Sequence, residues 1–591
     1  MGTPQGRKAT TTSVAAPLGG WNARDSVAEM NPMDATKLEN FFPTPSDVSL
    51  RKGYTQHATG IAGEVESLMS YNGPTSEKLF AIAGGKIYDV TNTGVATQVY
   101  SGLSNSKWQH INVSTAGGNF LAMVNGADPA MVYNGTSWIT VASTSTAQTI
   151  STITRGGAGN LTATVTTAAP HGLLTGNQIV VSGASPAEYN GTFIITRINS
   201  TQFTYTMATA PATNATTVGS YTITLAVTGV DSATFANINL FKNRLWFVQE
   251  NSLKAWYLDP LSIGGAAASL DLSGIAGSGG YLQAMGTWTL DAGQGADDYA
   301  VFVTSMGQVI IYNGTDPSVA ETWLMKGVWQ FGQTFARRCF FKWSGDLLLL
   351  TQDGLVPLSG ALQSSRLDPR INLTDKIFYA VSQAATQYYS NFGWQINYFA
   401  SENMLILNVP ISDGTQQFVM HTITKSWGQF TGIEANCWEV HGNEGMYFGG
   451  NGFVGNFYNT TSDNGTNINA NCQQAYSYFN SRGTLKRFTM VRPIIITDNA
   501  LPTVLCGIST DFDPASPNGA VTFNPSLIPI GEWDSAIWDY DLWGGGVNVN
   551  KQWQGVTGIG YAGGINLSIA SQGVELHWAS TDYVFETGGV L

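Results

Sequence analysis

The sequence predicts an all-β protein of β-propeller type, with a small β-barrel or sandwich inserted near residue 147, a C-terminal β-domain and few short helices. Three observations carry this expectation. An apolar run, a Gly, Asn or Asp turn and a second apolar run recur as one unit at 79–90, 120–133, 245–257, 299–312, 347–356, 404–419 and 446–457. The stretch 147–224 differs in composition from what flanks it, being rich in Thr, Ala, Ser and Val and free of Trp. After about residue 470 the repeated unit gives way to other strand-like runs.

Each unit reads as a hairpin. In the first, Leu79-Phe80-Ala81-Ile82-Ala83 meets Gly84-Gly85 and leaves as Lys86-Ile87-Tyr88-Asp89-Val90; the glycines supply the positive φ of a tight primed turn. Asn125-Gly126, Asn313-Gly314, Asp353-Gly354, Asp413-Gly414 and Asn451-Gly452 offer the same turn chemistry. A hairpin cannot bury its apolar face alone, so repeated hairpins must stack, as propeller blades do. Trp138, Trp323 and Trp427 follow three of the units. The spacing keeps no strict period, which leaves a sandwich or several stacked β-domains open.

In chain order, the sequence divides into an N-terminal extended arm and platform segment (1–60), first blades (61–146), the insert (147–224), further blades (225–470) and the C-terminal β-domain (471–591). Within the first segment, Asn31 can cap, Pro32 fits a first helical position and Asp34 faces a positive helix start, which predicts a two-turn helix with Leu38 and Phe41 or Phe42 inward. Residues 48–54 then read as a strand. In the insert, 169–183 is loop, turn and strand, 189–195 is turn and strand, and 203–206 alternates strictly. One longer helix opens at Asp375, with Ile377, Val381 and Ala384 on one face. In the C-terminal domain, Trp533, Trp538 and Trp543 recur every five residues beside Asp534 and Asp539. An odd spacing puts successive Trp on opposite strand faces, so a folded corner of packed indoles fits better than one strand; a carbohydrate platform is the rival reading.

Charged residues make up only 11% of the chain, against roughly 25% in ordinary globular domains, and the formal net charge is −13. A surface made soluble by neutral polar groups is cheap to desolvate and suits permanent neighbours; a stable β-protein without a large partner surface fits equally well. The acidic balance argues against a sequence reader of nucleic acid, which neutralises phosphates with Lys and Arg clusters. Cys339, Cys437, Cys472 and Cys506 form no C-x-x-C pair and read as buried free thiols made in a reducing cytoplasm. Arg7-Lys8 runs into Thr and Ser, Gly2 lacks the hydroxyl residue that N-myristoylation requires, and no stretch approaches a membrane span, so no signal, lipid anchor or span is expected.

The chemistry-bearing residues form no recognisable constellation. His57, His110, His171, His421, His441 and His577 show no metal-ligand spacing. Gly84-Gly85-Lys86 looks like a phosphate loop, but Ile87 stands where a magnesium-binding hydroxyl is needed, and the segment is a hairpin turn. Asp297-Asp298, Asp511 with Asp513, and Asp539 with Asp541 are carboxylate neighbours in sequence, which by itself gives neither the two-sided cleft of a glycosidase nor a calcium loop. The recurring S-x-D-x-G-x-T-W turn of propeller sialidases is absent, Ser344-Gly345-Asp346-Leu347 being the nearest approach. The expectation is therefore no enzyme, with no catalytic, cofactor or metal residues.

One segment is more specific. Leu18-Gly19-Gly20-Trp21-Asn22, Asn31-Pro32-Met33-Asp34-Ala35, Leu38-Glu39-Asn40-Phe41-Phe42-Pro43 and Val48-Ser49-Leu50-Arg51-Lys52-Gly53-Tyr54 together resemble the opening of the tail nozzle family of short-tailed bacteriophages, also called tail tubular protein B or tail hub. The turns Val124-Asn125-Gly126 and Tyr133-Asn134-Gly135-Thr136 look like that family's first blades, and His171-Gly172-Leu173 to Tyr189-Asn190-Gly191-Thr192-Phe193 looks like a small β-module of phage tail proteins. The resemblance covers about a third of the chain, and the insert departs from the family's simplest members. It implies a structural homohexamer of the virion tail, made in the host cytoplasm. Such a ring docks on an adaptor (head-tail connector) ring below the portal, meets fibre, spike or needle proteins, and passes double-stranded DNA through its lumen without sequence-specific binding. Acidic walls would let the duplex slide. The alternative is a host-surface glycan-binding or glycan-cleaving tail protein that uses propeller loops or the Trp533 to Trp543 cluster.

Overall fold

The computed structural model describes residues 9–141, 147–169, 171, 178–223, 225–291, 296–361, 371–442, 445–498, 502–521, 547–549 and 552–588. The chain forms two compact units, one of Glu66–Asn92 and Ala96–Thr351, the other of Met1–Val65, Thr93–Val95 and Gln352–Leu591.

In the first of these units, four-stranded antiparallel sheets follow one another along the chain. Their strands are Val65–Asn72, Glu77–Ala83, Lys86–Asp89 and Thr97–Ser101; then Gln109–Thr115, Gly118–Val124, Met131–Tyr133 and Trp138–Thr140; then Phe235–Phe241, Arg244–Gln249, Lys254–Tyr257 and Ala268–Asp271; then Leu282–Asp291, Ala296–Thr304, Gln308–Gly314 and Trp323–Gln330. The first hairpin closes on Gly84 and Gly85, at φ 54° and 70°, with Ala83 paired to Lys86. Both faces of each inner strand are buried because alternate residues enter different cores. Leu121 and Met123 pack with Phe80 and Ile82, whereas Phe120, Ala122 and Val124 pack with Phe235, Leu245 and Phe247. One strand on, Trp246 and Val248 turn the other way, onto Phe302, Ile310 and Trp323. Sheets stacked face to face in series are the construction of a β-propeller.

The insert is a closed six-stranded barrel of Ala147–Gly156, Thr162–Thr167, Gln202–Thr206, Gly191–Arg197, Gln178–Ser185 and Thr217–Ile223. It fills its own core with Ile153, Val165, Ile179, Val181, Phe203, Tyr205 and Tyr221. Buried hydroxyls are satisfied internally: Tyr205 donates to the Tyr189 carbonyl and Tyr189 to the Thr213 carbonyl, each at 2.9 Å.

The second unit is built on a ten-stranded sheet. Its order is Gln395–Phe399, Met404–Ile411, Gly414–His421, Trp427–Phe430, Gly20–Trp21, Asp34–Glu39, Ile468–Gln474, Gly563–Ser571, Thr503–Thr510 and Gly519–Ala520. A seven-stranded sheet faces its C-terminal part, led by Lys486–Asp498 and Leu576–Thr587 and carrying Ala9–Ala15, Phe41–Pro43 and Val48–Leu50. Phe488, Ile495, Trp578 and Tyr583 from one layer and Leu38, Cys472, Cys506 and Leu567 from the other fill a shared sandwich core. A third sheet joins Cys437–His441, Gly445–Gly449 and Val454–Thr460 to the N-terminal strand Gly53–Thr59. Trp438, Phe448 and Phe457 pack it against Met404, Ile406 and Val419, which repeats the stacking of the first unit.

The helix expected over 31–42 is not formed; Asp34–Glu39 and Phe41–Pro43 are strands. Asn31 caps a turn instead, its Oδ1 accepting from the Met33 N–H at 3.0 Å and its carbonyl from the Asp34 N–H at 2.8 Å. Pairing with Ile468–Gln474 then overrides the local signal, because it buries Ala35 and Leu38 in the sandwich. The strand expected over 48–54 is broken at Arg51-Lys52 into Val48–Leu50 and Gly53–Thr59. The helix opening at Asp375 runs Phe378–Tyr388 after a short turn and buries Val381, Ala384 and Ala385. Trp533, Trp538, Trp543, Asp539 and Asp541 lie outside the described residues.

Candidate functional site

The residues singled out in sequence mostly serve the fold. His171 Nε2 lies 3.0 Å from the Asn199 carbonyl, with its ring edge-on to Phe203. His57 sits 3.3 Å from the Thr93 hydroxyl and against Tyr447. Asp511 locks a corner, its Oδ1 accepting from the N–H groups of Tyr561 at 2.7 Å and Ala562 at 3.0 Å. Asp298 pairs with Lys242 at 2.7 Å and accepts from the Thr289 hydroxyl at 2.8 Å. Ser344 and Asp346 belong to the turn of a hairpin in which Trp343 pairs with Asp346. Among the described residues no group of three His, Cys, Asp or Glu could hold a metal ion.

Two of the six histidines line one cavity. His421 and His577 both line a cavity of about 260 Å³ in the second unit, together with Lys52, Glu402, Tyr458 and Glu575. The break between Leu50 and Gly53 presents Lys52, the corner Ala400–Glu402 presents Glu402, and the end of Gly414–His421 presents His421. Tyr458, held at φ 63° and only 8% exposed, forms part of the wall.

The cavity is mixed in charge. Lys52 Nζ stands 5.7 Å from the centre of the Tyr458 ring and, among the described residues, has no ion-pair partner. Burial pushes the Glu402 carboxyl above its ordinary range; Glu575 adds to the shift and Lys52 opposes it. Burial also raises the Tyr458 hydroxyl, with Glu402 contributing and a hydrogen bond from the Lys52 backbone opposing. His577 lies between carboxylates, Nδ1 3.3 Å from Asp47 and Nε2 3.7 Å from Glu575. His421 is buried, which holds its pKa below the usual imidazole value, and the Thr424 N–H and hydroxyl approach its Nδ1 at 3.4 and 3.3 Å. An Nδ1 that accepts leaves the ring proton on Nε2.

Arg51, which also borders the cavity and is 1% exposed, is consumed by the fold. It holds Asp463 at 2.7 and 2.6 Å, Asn40 Oδ1 at 2.8 Å and the Thr431 carbonyl at 2.8 Å. Sequence reading found His421 and His577 only as scattered histidines and missed Lys52, Glu402, Tyr458 and Glu575. Only the strand pairings bring these segments together.

The sheets define an all-β protein of propeller type with an inserted barrel and a C-terminal sandwich. No family model and no curated protein matches the chain. Among solved structures it is similar to Saccharomyces cerevisiae Sqt1 at 9% identity, with 69% of this chain and 98% of that one covered and a TM-score of 0.33. It is similar to the endosialidase of phage phi92 at 11% identity, with 67% and 63% covered and a TM-score of 0.26. A third is YCF48 bound to D1 peptide, at 10% identity with 75% and 99% covered and a TM-score of 0.24. Scores of this size carry no argument.

Proposed function

We propose that this chain is a structural tail nozzle subunit of a short-tailed bacteriophage. In this reading it is a non-catalytic ring component that forms a homohexamer below the adaptor ring and guides the genome out. The observation that carries the proposal is the place of the N-terminal segment that resembles the nozzle family. Its strands Gly20–Trp21 and Asp34–Glu39 lie between the hairpins of 395–430 and the strands of the C-terminal domain, within one ten-stranded sheet. Its next strands, Phe41–Pro43 and Val48–Leu50, enter the facing sheet. A segment woven into both layers of a sandwich makes a stiff platform, since close-packed interiors transmit strain rather than yield to it.

Surface chemistry supports the same reading. In the first unit the strand Trp323–Gln330 leaves Leu324, Met325 and Val328 at 54%, 50% and 38% exposure. Apolar groups on an outermost strand invite pairing or packing with another chain. A chain of charge −13 with few cations offers a duplex little to hold, which suits DNA that slides past. The test is electron microscopy of the purified full chain. A sixfold ring whose channel admits a DNA duplex is the expected result; a monodisperse monomer or trimer that binds or depolymerises host polysaccharide overturns the reading.

A further inference from the structure

We infer that the cavity between Lys52, His421, Glu402 and Glu575 is a binding site for a neutral polyhydroxylated ligand of monosaccharide size. The inference rests on the chemistry of this cavity and is independent of ring assembly.

Size sets the first limit. At about 260 Å³ the cavity falls just below the roughly 300 to 1,000 Å³ of pockets for drug-sized molecules, so it admits one small ring and excludes a peptide or nucleotide. Charge sets the second. An anion entering beside Lys52 would also meet Glu402 and Glu575, and a cation entering beside the carboxylates would meet Lys52. An anion would gain Lys52 against two carboxylates and a cation would gain two carboxylates against Lys52, so each ion suffers a like-charge contact that a neutral ligand avoids.

Hydrogen-bond polarity then selects the class. His421 is 5% exposed, and with Nδ1 facing Thr424 its remaining ring polar atom is the Nε2 donor. Lys52 adds a second donor that no described carboxylate occupies. Opposite charge character comes from Glu402 and Glu575, which when ionised only accept. A hydroxyl donates and accepts at once, so a polyol can satisfy both sets with one kind of group.

The experiment is saturation-transfer NMR on the full chain at neutral pH. The probes are D-glucose, D-galactose, D-mannose, L-rhamnose and N-acetyl-D-glucosamine, with inorganic phosphate and calcium as the ionic alternatives. At least one sugar should bind saturably at millimolar concentration, and Lys52→Met and Glu402→Gln should each weaken it by about tenfold or more. Lys326→Met, on the exposed strand of the other unit, should leave binding unchanged. Circular dichroism melts confirm that each variant is folded; if Lys52→Met does not fold, Glu402→Gln carries the comparison. Absence of saturable binding by any of the sugars overturns the inference. So does binding untouched by both cavity variants, or binding of phosphate or calcium in place of sugar. Because assembly is read separately by microscopy, failure here leaves the nozzle proposal standing, and a missing ring leaves the cavity's chemistry standing.

Discussion

Arg51 and Asp463, separated by 412 residues, form a bidentate pair at 2.7 and 2.6 Å with side-chain exposures of 0% and 10%. The pair ties the N-terminal segment to the loop before Ile468–Gln474, and Asn40 and Thr431 satisfy two more of the guanidinium's donors. Removing one member strands a buried charge, so Arg51→Met should destabilise the unit by about 3 to 5 kcal/mol. The double variant Arg51→Met/Asp463→Leu should cost much less than the sum of the two single changes, because no uncompensated charge is left. Urea unfolding of all three variants checks this as a double-mutant cycle.

A second relationship tests the stacking of sheets. The Trp246 and Trp323 indoles lie parallel within 16°, centroids 5.6 Å apart, and Tyr312 also stacks on Trp323, at 5.2 Å. Both indole N–H groups lack a hydrogen-bond partner, so these residues are held by packing alone. Trp323→Ala should cost about 3 to 5 kcal/mol and Trp323→Phe distinctly less. Chemical denaturation followed by near-ultraviolet dichroism reads both.

What sequence could reveal divides along the range of the interactions. The 79–90 hairpin was legible because its turn is fixed by Gly84 and Gly85, adjacent in sequence and both at positive φ. The N-terminal strands were not. Asn31-Pro32 and Asp34 are sound helix-start chemistry, yet Ala35 is claimed by Gln474 and Leu38 by Cys472, more than four hundred residues away. The cavity was illegible for the same reason: Lys52, Glu402, Tyr458 and Glu575 come from separate segments, and none sits in a local motif.

Among the described residues, the barrel's core is drawn from positions 150 to 221, with Phe193 stacked on Tyr205 at 4.2 Å and Phe203 edge-on to Tyr221 at 5.5 Å. A module whose described core residues all come from its own segment meets the condition for folding alone. The excised fragment 147–223 should therefore be monomeric and unfold in one cooperative transition, with dispersed amide proton shifts. A fragment that binds apolar dyes and melts without a transition would refute its autonomy.

All four cysteines are free and buried. Desolvation pushes the Cys339 and Cys506 thiols up to about 12 and raises Cys472 as well. The native protein at pH ~8 should leave all of them unreacted with an aromatic disulfide reagent, since the thiolate is the nucleophile. Denaturant should release four. Because the fold favours the protonated thiol, this contribution to stability is complete below the ordinary thiol pKa of 9.0 and declines as pH rises through the folded values.

Glu402 gives a pH signature at the cavity itself. Burial and Glu575 raise its carboxyl above the ordinary 4.5, with Lys52 pulling the other way. The folded state therefore binds this proton more tightly than the unfolded chain does. The resulting stability is present in full below 4.5 and is lost as pH rises through the folded pKa. Glu402→Gln cannot ionise, so it should melt close to the unaltered protein near pH ~4 and above it near pH ~7. His421 acts in the opposite sense. Its depressed pKa gives stability that is present above 6.5 and lost as pH falls through the folded value. Melting temperatures of the unaltered protein and Glu402→Gln across this range separate the two groups, because only the Glu402 component disappears in the variant. A gap that narrows toward neutral pH would mean that Lys52 stabilises the Glu402 carboxylate more than burial penalises it, and the assigned direction would be wrong.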